Sequence, residues 1–461
     1  MSLRKTVRRW VGGILTVGVL VLGGGAMFRS TEKVPEPNFP IPPIPSPNAY
    51  DIYKQAAQMR QGSGGKLLGN DWQKYTLAQK EQLLASDQQT LLTLRSGFAH
   101  PYQPPIQRTP GSAVLSYSAE FRELARTLVA QGELYREEQE WDKAAQCYLD
   151  TIQFGMHLPH GDGIMGFLLG TTIEGMGRRY LWEITERLTP TMARETALHL
   201  QDLERKRYPL IQTFQEMEYT DGTYMANLLN KNGAWGIAAQ VTGVNETAAD
   251  LAQTVTALVG NGTSAPDKPL EAQWERLRYR VGATISVIAT SKPTIYRQFR
   301  ENNARLQEQI RQPYTPNPTD IPCPKDAVNA MFCMENIVLQ QTPLRFYEAQ
   351  AQNGLLAVAL ALRAYSQEKG DYPPTLQELV DKGYLRSVPN DPFIAGKPLS
   401  YQRLSEKQYL LYSVGPDGKD DSGKTGSYTQ GKQGSRSQMD STFVGDFVVG
   451  ENTRLPDSLR Y

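Results

Sequence analysis

One stretch near the start constrains this chain more than any other. Val11 to Phe28 reads VGGILTVGVLVLGGGAMF without a charge, and Arg4, Lys5, Arg8 and Arg9 precede it with no acid among them. At about 1.5 Å per residue the run reaches about 27 Å, close to the roughly 30 Å of a bilayer core. Positive charge before it and none within it predict a cytoplasmic basic tail at 1–10, a transmembrane signal anchor at 11–28, and all later residues on the far side. The alternative is a signal peptide cut after the small residues Gly24 and Ala26, which exports the rest equally well. No cysteine directly follows the run, so a lipid anchor is not expected there. The expected localisation is a single-pass cell-membrane protein with its bulk periplasmic or extracellular.

Residues 29–48 follow as a linker. Pro35, Pro37, Pro40, Pro42, Pro43, Pro45 and Pro47 forbid helix and favour an extended polyproline stalk. Lys+Arg of 49 against Asp+Glu of 48 leaves a net charge of +1. So even a balance supplies no electrostatic footprint for nucleic acid, and no nucleic-acid partner is expected. Of the three cysteines, Cys147 reads as a packed thiol within a helix. Cys323 and Cys333 are either two unlinked residues or a small disulfide loop, which an oxidising compartment favours.

From 49 to 311 helical periodicity recurs and strand alternation does not, which predicts an α-helical middle domain. Leu77–His100 is strongly helix-forming, and Thr189-Pro190 starts a helix expected to reach about Asn230. Ser118–Glu138 presents Phe121, Leu124, Leu128, Gly132 and Tyr135 at helical spacing, and Trp141–His157 presents Ala144, Ala145, Tyr148 and Ile152. Small Gly132 and Ala144 among large aromatics let two antiparallel helices approach closely. The pair resembles one tetratricopeptide-like hairpin, with no second copy at the same period.

Catalytic signatures are missing: no HExxH, GxSxG, phosphate loop or GxGxxG appears, and enzymatic activity is not expected. The alternative is an exported hydrolase with its site in the helical domain. It would use Glu174, on an apolar helix face, or the HLPHGDG turn with His157, His160 and Asp162. Glu174 reads first as a carboxylate paired with a neighbouring arginine. The histidine turn reads first as solvated, since Pro159 and Gly161 give it no fixed face.

After a connector at 312–342 the pattern changes. Residues 343–461 read as a small α+β domain: a helix over Arg345–Lys369 ended by Gly370, a short helix capped by Thr375, a turn at Val388–Pro392, paired strands at Leu399–Leu404 and Gln408–Val414, and a last strand at Thr442–Val449. The loop GPDGKDDSGK sets Asp417, Asp420 and Asp421 within a glycine-flanked turn. Hard oxygen donors so spaced suit calcium, with a solvated acidic turn as the alternative.

The order ALRAYSQEKGDYPPTLQELV, VPNDPF, YLLYSVGPDGKDD resembles the C-terminal domain of the major pseudopilin of type II secretion systems. That resemblance implies structural Ca2+ held by Asp417, Asp420 or Asp421, the backbone carbonyl of Val414 and, across an insertion, Asp446. The family's peptidase site and the Glu of its first helix have no counterpart here, so the resemblance implies a head domain and not a filament-forming pilin. The fold class expected is therefore mainly α: a transmembrane helix, an α-helical middle domain and a small α+β pseudopilin-like C-terminal domain. The function expected is extracytoplasmic binding or scaffolding at the envelope. Its partners would be the membrane and envelope or secretion proteins.

Overall fold

Caps and breakers set most of the helix ends. In the structure, a computed structural model, residues 33–38, 42–60, 72–105, 117–161, 163–242, 291–316, 327–429 and 442–449 are described. The described chain is mainly helical, with α1 Ala49–Met59, α2 Leu77–Ala85, α3 Gln88–Ser96, α4 Ser118–Glu137, α5 Trp141–His157, α6 Gly163–Ile184, α7 Pro190–Arg205, α8 Leu210–Thr242, α9 Lys292–Arg311, α10 Ala327–Lys369 and α11 Leu376–Asp381. Asn48 caps α1 by accepting from the Tyr50 amide, and Thr76 closes a capping box on α2 with Gln79. Thr189 accepts from the Met192 amide ahead of Pro190, the first residue of α7.

The stretch 77–100 is helical as expected, forming α2 and α3 with a turn at Ser86–Asp87 and a last 3-10 turn, Gly97–Ala99. One helical expectation is corrected. The helix begun at Pro190 stops at Arg205, because Pro209 brings no amide and pushes Tyr208 out of helical conformation; α8 starts anew at Leu210.

Among the described residues no helix is long and apolar enough to cross a membrane. The expected span 11–28 lies outside the described residues, as does Cys323 and with it the Cys323–Cys333 pairing.

The chain divides into two compact units, 1–38 with 221–302 and 323–334, and 39–220 with 303–322 and 335–461. In the first unit, Val34 is 3% exposed among Ala226, Leu229, Ile295 and Phe299. Asn230 grips its backbone on both sides, accepting from Val34 N at 2.9 Å and donating to Val34 O at 2.9 Å. The start of the proline-rich segment is thus docked, whereas 42–44 are exposed.

The second unit is built on close helix contacts. A Cβ on Gly132 of α4 would lie 2.3 Å from Tyr148 Cε1 of α5, the approach expected of the hairpin. Between α5 and α6 the backbones themselves touch: a Cβ on Gly155 would lie 2.5 Å from Glu174 N and 2.6 Å from Gly170 O. One apolar core then runs from α5, α6 and α7 through Leu355–Leu362 of α10 to Phe393, Leu411 and Phe447. This alters the boundary expected at 343. α10 passes through Pro343 unbroken, and the residues after it share the helical body's core. Arg194 Nε of α7 donates to Gly383 O at 3.0 Å, and Gln201 bonds both Ser387 O and the Arg386 amide.

Strands β1 Ser400–Ser405 and β2 Gln408–Ser413 form the expected hairpin. The last strand is broken into β4 Thr442–Val444, paired with β3 Ser427–Thr429, and β5 Phe447–Val448, paired with β2. Gly445, at φ +100, makes the break, and a Cβ there would lie 2.7 Å from Gly426 Cα. The larger sheet has the order β1-β2-β5.

Candidate functional site

The acidic loop leaves the end of β2, and a buried carboxylate aims that end. Asp391, in the Asp-Pro turn, accepts through Oδ1 from the Phe393 amide at 3.0 Å and Ser413 Oγ at 2.9 Å, and through Oδ2 from the Val414 amide at 2.9 Å. Burial pushes its carboxyl upward, with Asp420 adding to the rise. Val414 then leads into a turn in which Gly415 and Gly418 both take positive φ.

Three of the four acids expected in the site, Asp417, Asp420 and Asp446, order backbone around them. Asp417 accepts from Lys419 N at 3.1 Å and, across the insertion, from Gly445 N at 3.0 Å. Asp420 Oδ1 accepts from Ser422 N at 2.9 Å and from Tyr412 Oη at 3.0 Å. Asp446 is fully buried and accepts from Asp421 N at 3.3 Å and Gly423 N at 2.7 Å. Burial raises the Asp446 carboxyl, and the charges of Asp420 and Asp421 raise it further.

The structure therefore brings Asp417, Asp420, Asp421 and Asp446 to one corner. Asp421 joins through its amide, and Val414 through its amide, its side chain lying in the core. Among the described residues no three His, Cys, Asp or Glu side chains already converge as a ligand set. Sequence reasoning passed over Asp391. Its signal was there, since an Asp before Pro favours a turn in which its own carboxylate accepts the amide two residues on.

Glu174 of α6 is 1% exposed and fully engaged. It accepts from Arg207 Nη2 at 2.6 Å, Asn353 Nδ2 at 2.7 Å and Arg178 Nη1 at 3.2 Å. Burial works to raise this carboxyl, but Arg207 and Arg178 overcome it and hold it below the ordinary range. A carboxylate so stabilised accepts a proton poorly. It acts instead as a brace joining α6 and α10 to Arg207 just beyond α7, with Asn353 also donating to Glu204 at the end of α7.

The histidine turn is corrected from a solvated loop to a packed one. His157 Nδ1 lies 2.7 Å from Tyr53 Oη, and burial, with His160 and Lys206, pushes its imidazole down to about 4. His160 Nδ1–H donates to the His157 carbonyl at 2.8 Å, its ring 4.2 Å from that of Tyr208. The Glu216 carboxylate accepts from the Gly161 amide at 3.1 Å and from the Tyr208 hydroxyl. Asp162 lies outside the described residues.

No family model, no characterised protein and no solved structure matches this chain.

Proposed function

We propose that this chain is a membrane-anchored, extracytoplasmic binding or scaffold protein of the cell envelope, working beside a secretion or pilus-like assembly, with a structural calcium ion at its acidic loop. The anchor is argued from the charge-free run at 11–28 and its basic flank. The single observation that carries the cation is electrostatic. Negative charge crowds the corner around buried Asp446, and among the described residues no Lys or Arg pairs within 4 Å with Asp391, Asp417, Asp420 or Asp421.

Crowded carboxylates are relieved by a divalent cation, and an all-oxygen donor set on a glycine-rich turn suits calcium better than a transition metal. Asp417, Asp420, Asp421 and Asp446 would hold it with the Val414 carbonyl. The ion would supply the positive charge that lets these acids share one site, and would pin the loop.

The test uses the whole chain in detergent micelles. A calcium excess of about a hundred times Kd stabilises by about 2.7 kcal/mol, so the unfolding transition rises with calcium and falls again with chelator. A transition indifferent to both defeats the calcium assignment. Proteolysis of spheroplasts, whose outer layers are opened, addresses the topology, with digestion of the bulk expected; complete protection would overturn the export reading.

A further inference from the structure

The acidic turn is gripped from a second direction, by the segment that follows α9. Within the larger unit the end of α9 is anchored: Leu306 is buried among Ile164, Phe214 and Met217, and Gln307 Nε2 donates to Glu218 Oε2 at 2.6 Å. The chain then leaves helix at Gln312 and runs without regular structure to Pro316.

Tyr314 packs edge-on against Tyr347 and Phe393, ring centroids 5.3 and 4.9 Å away. Its hydroxyl reaches past them and donates to the Pro416 carbonyl at 2.6 Å. Two residues on, Pro316 sits where a Cβ of Gly418 would be, 2.5 Å from its Cγ. These two contacts bracket Asp417, one on each side in sequence. They also meet the Asp391 clamp through Phe393, whose amide Asp391 holds and whose ring Tyr314 packs on.

We infer that residues 312–316 form a strap that orders the acidic turn before any cation binds, with Tyr314 and Pro316 as positioning residues. The cation part rests on the calcium reading above; the ordering of the turn does not. A turn rich in glycine has much backbone freedom to lose, so an ion that had to order it alone would bind more weakly. The strap removes part of that cost beforehand, and it links the loop to the seating of α9.

The experiment compares the whole chain with Tyr314→Phe and Pro316→Ala in micelles. It follows amide hydrogen exchange at Gly418, which donates to Gly415 O, and at Lys419, which donates to Asp417. Calcium affinity is measured alongside by competition with a fluorescent chelator. Without calcium, Tyr314→Phe speeds exchange at these two amides by about three- to tenfold, the worth of one hydrogen bond, and weakens calcium by a similar factor. Pro316 is exposed, so its replacement leaves the fold intact and gives a smaller change of the same sign. Exchange like that of the parent in both variants overturns the strap. A parent chain that ignores calcium defeats the calcium reading alone, and the exchange rates still decide the strap.

Discussion

Glu348→Gln is expected to stabilise this protein at alkaline pH and to do nothing at acid pH. Glu348 lies on α10 and is 9% exposed. Its charged neighbours are Arg345 on its own helix and Arg178 on α6. Arg178 is committed elsewhere, donating to Glu174 and Asn353. Burial therefore dominates, and the carboxyl is pushed up from 4.5 to about 7. A folded-state pKa above the unfolded one means that the native protein holds the proton more tightly. The associated stability is fully present below about pH 4.5 and is lost as pH rises through about 7. At about 1.36 kcal/mol per unit, the ionised side chain costs up to about 3 kcal/mol near pH 8. Glutamine keeps the shape and carries no charge, so the variant escapes that cost. Urea unfolding of parent and variant between about pH 4.5 and pH 8 should give curves that diverge steadily, the variant ahead on the alkaline side. Parallel curves over that range would refute the reasoning, since they would mean that the carboxylate finds solvent or a counter-charge when it ionises.

Two substitutions test the packing that carries the site. Glu174→Leu strands the nearly buried guanidiniums of Arg178 and Arg207 and should cost about 3–5 kcal/mol in urea unfolding near pH 7. A loss under about 1 kcal/mol would show that those arginines re-pair. Gly155→Ala improves helix propensity by about 1 kcal/mol, yet it drives a methyl into the α6 backbone and should cost about 1–3 kcal/mol net. A gain in stability there would mean that α5 and α6 are further apart than described.

Local signals read directly from the chain fared well wherever the physics is local. The α4–α5 hairpin, the β1–β2 hairpin and the Thr189-Pro190 helix start follow from spacing, turn residues and capping chemistry that act within a few residues. The pairing of Glu174 with Arg178 was equally legible, since one helical turn separates them. Asp417, Asp420 and Asp421 were visible as a cluster because they lie in one turn. Other features came only from the tertiary structure. Asp391 reaches the acidic loop because Ser413 and Val414 fold back onto its turn, and Asp446 because Gly445 breaks a strand that reads as continuous. Arg207 and Asn353 close on Glu174 across separations of 33 and 179 residues. The core shared by the helical body and the residues after 343 is of the same kind. Hydrophobic burial rewards any apolar surfaces that meet, whatever their distance along the chain, so a change of sequence pattern marks a change of local structure without marking the edge of a core.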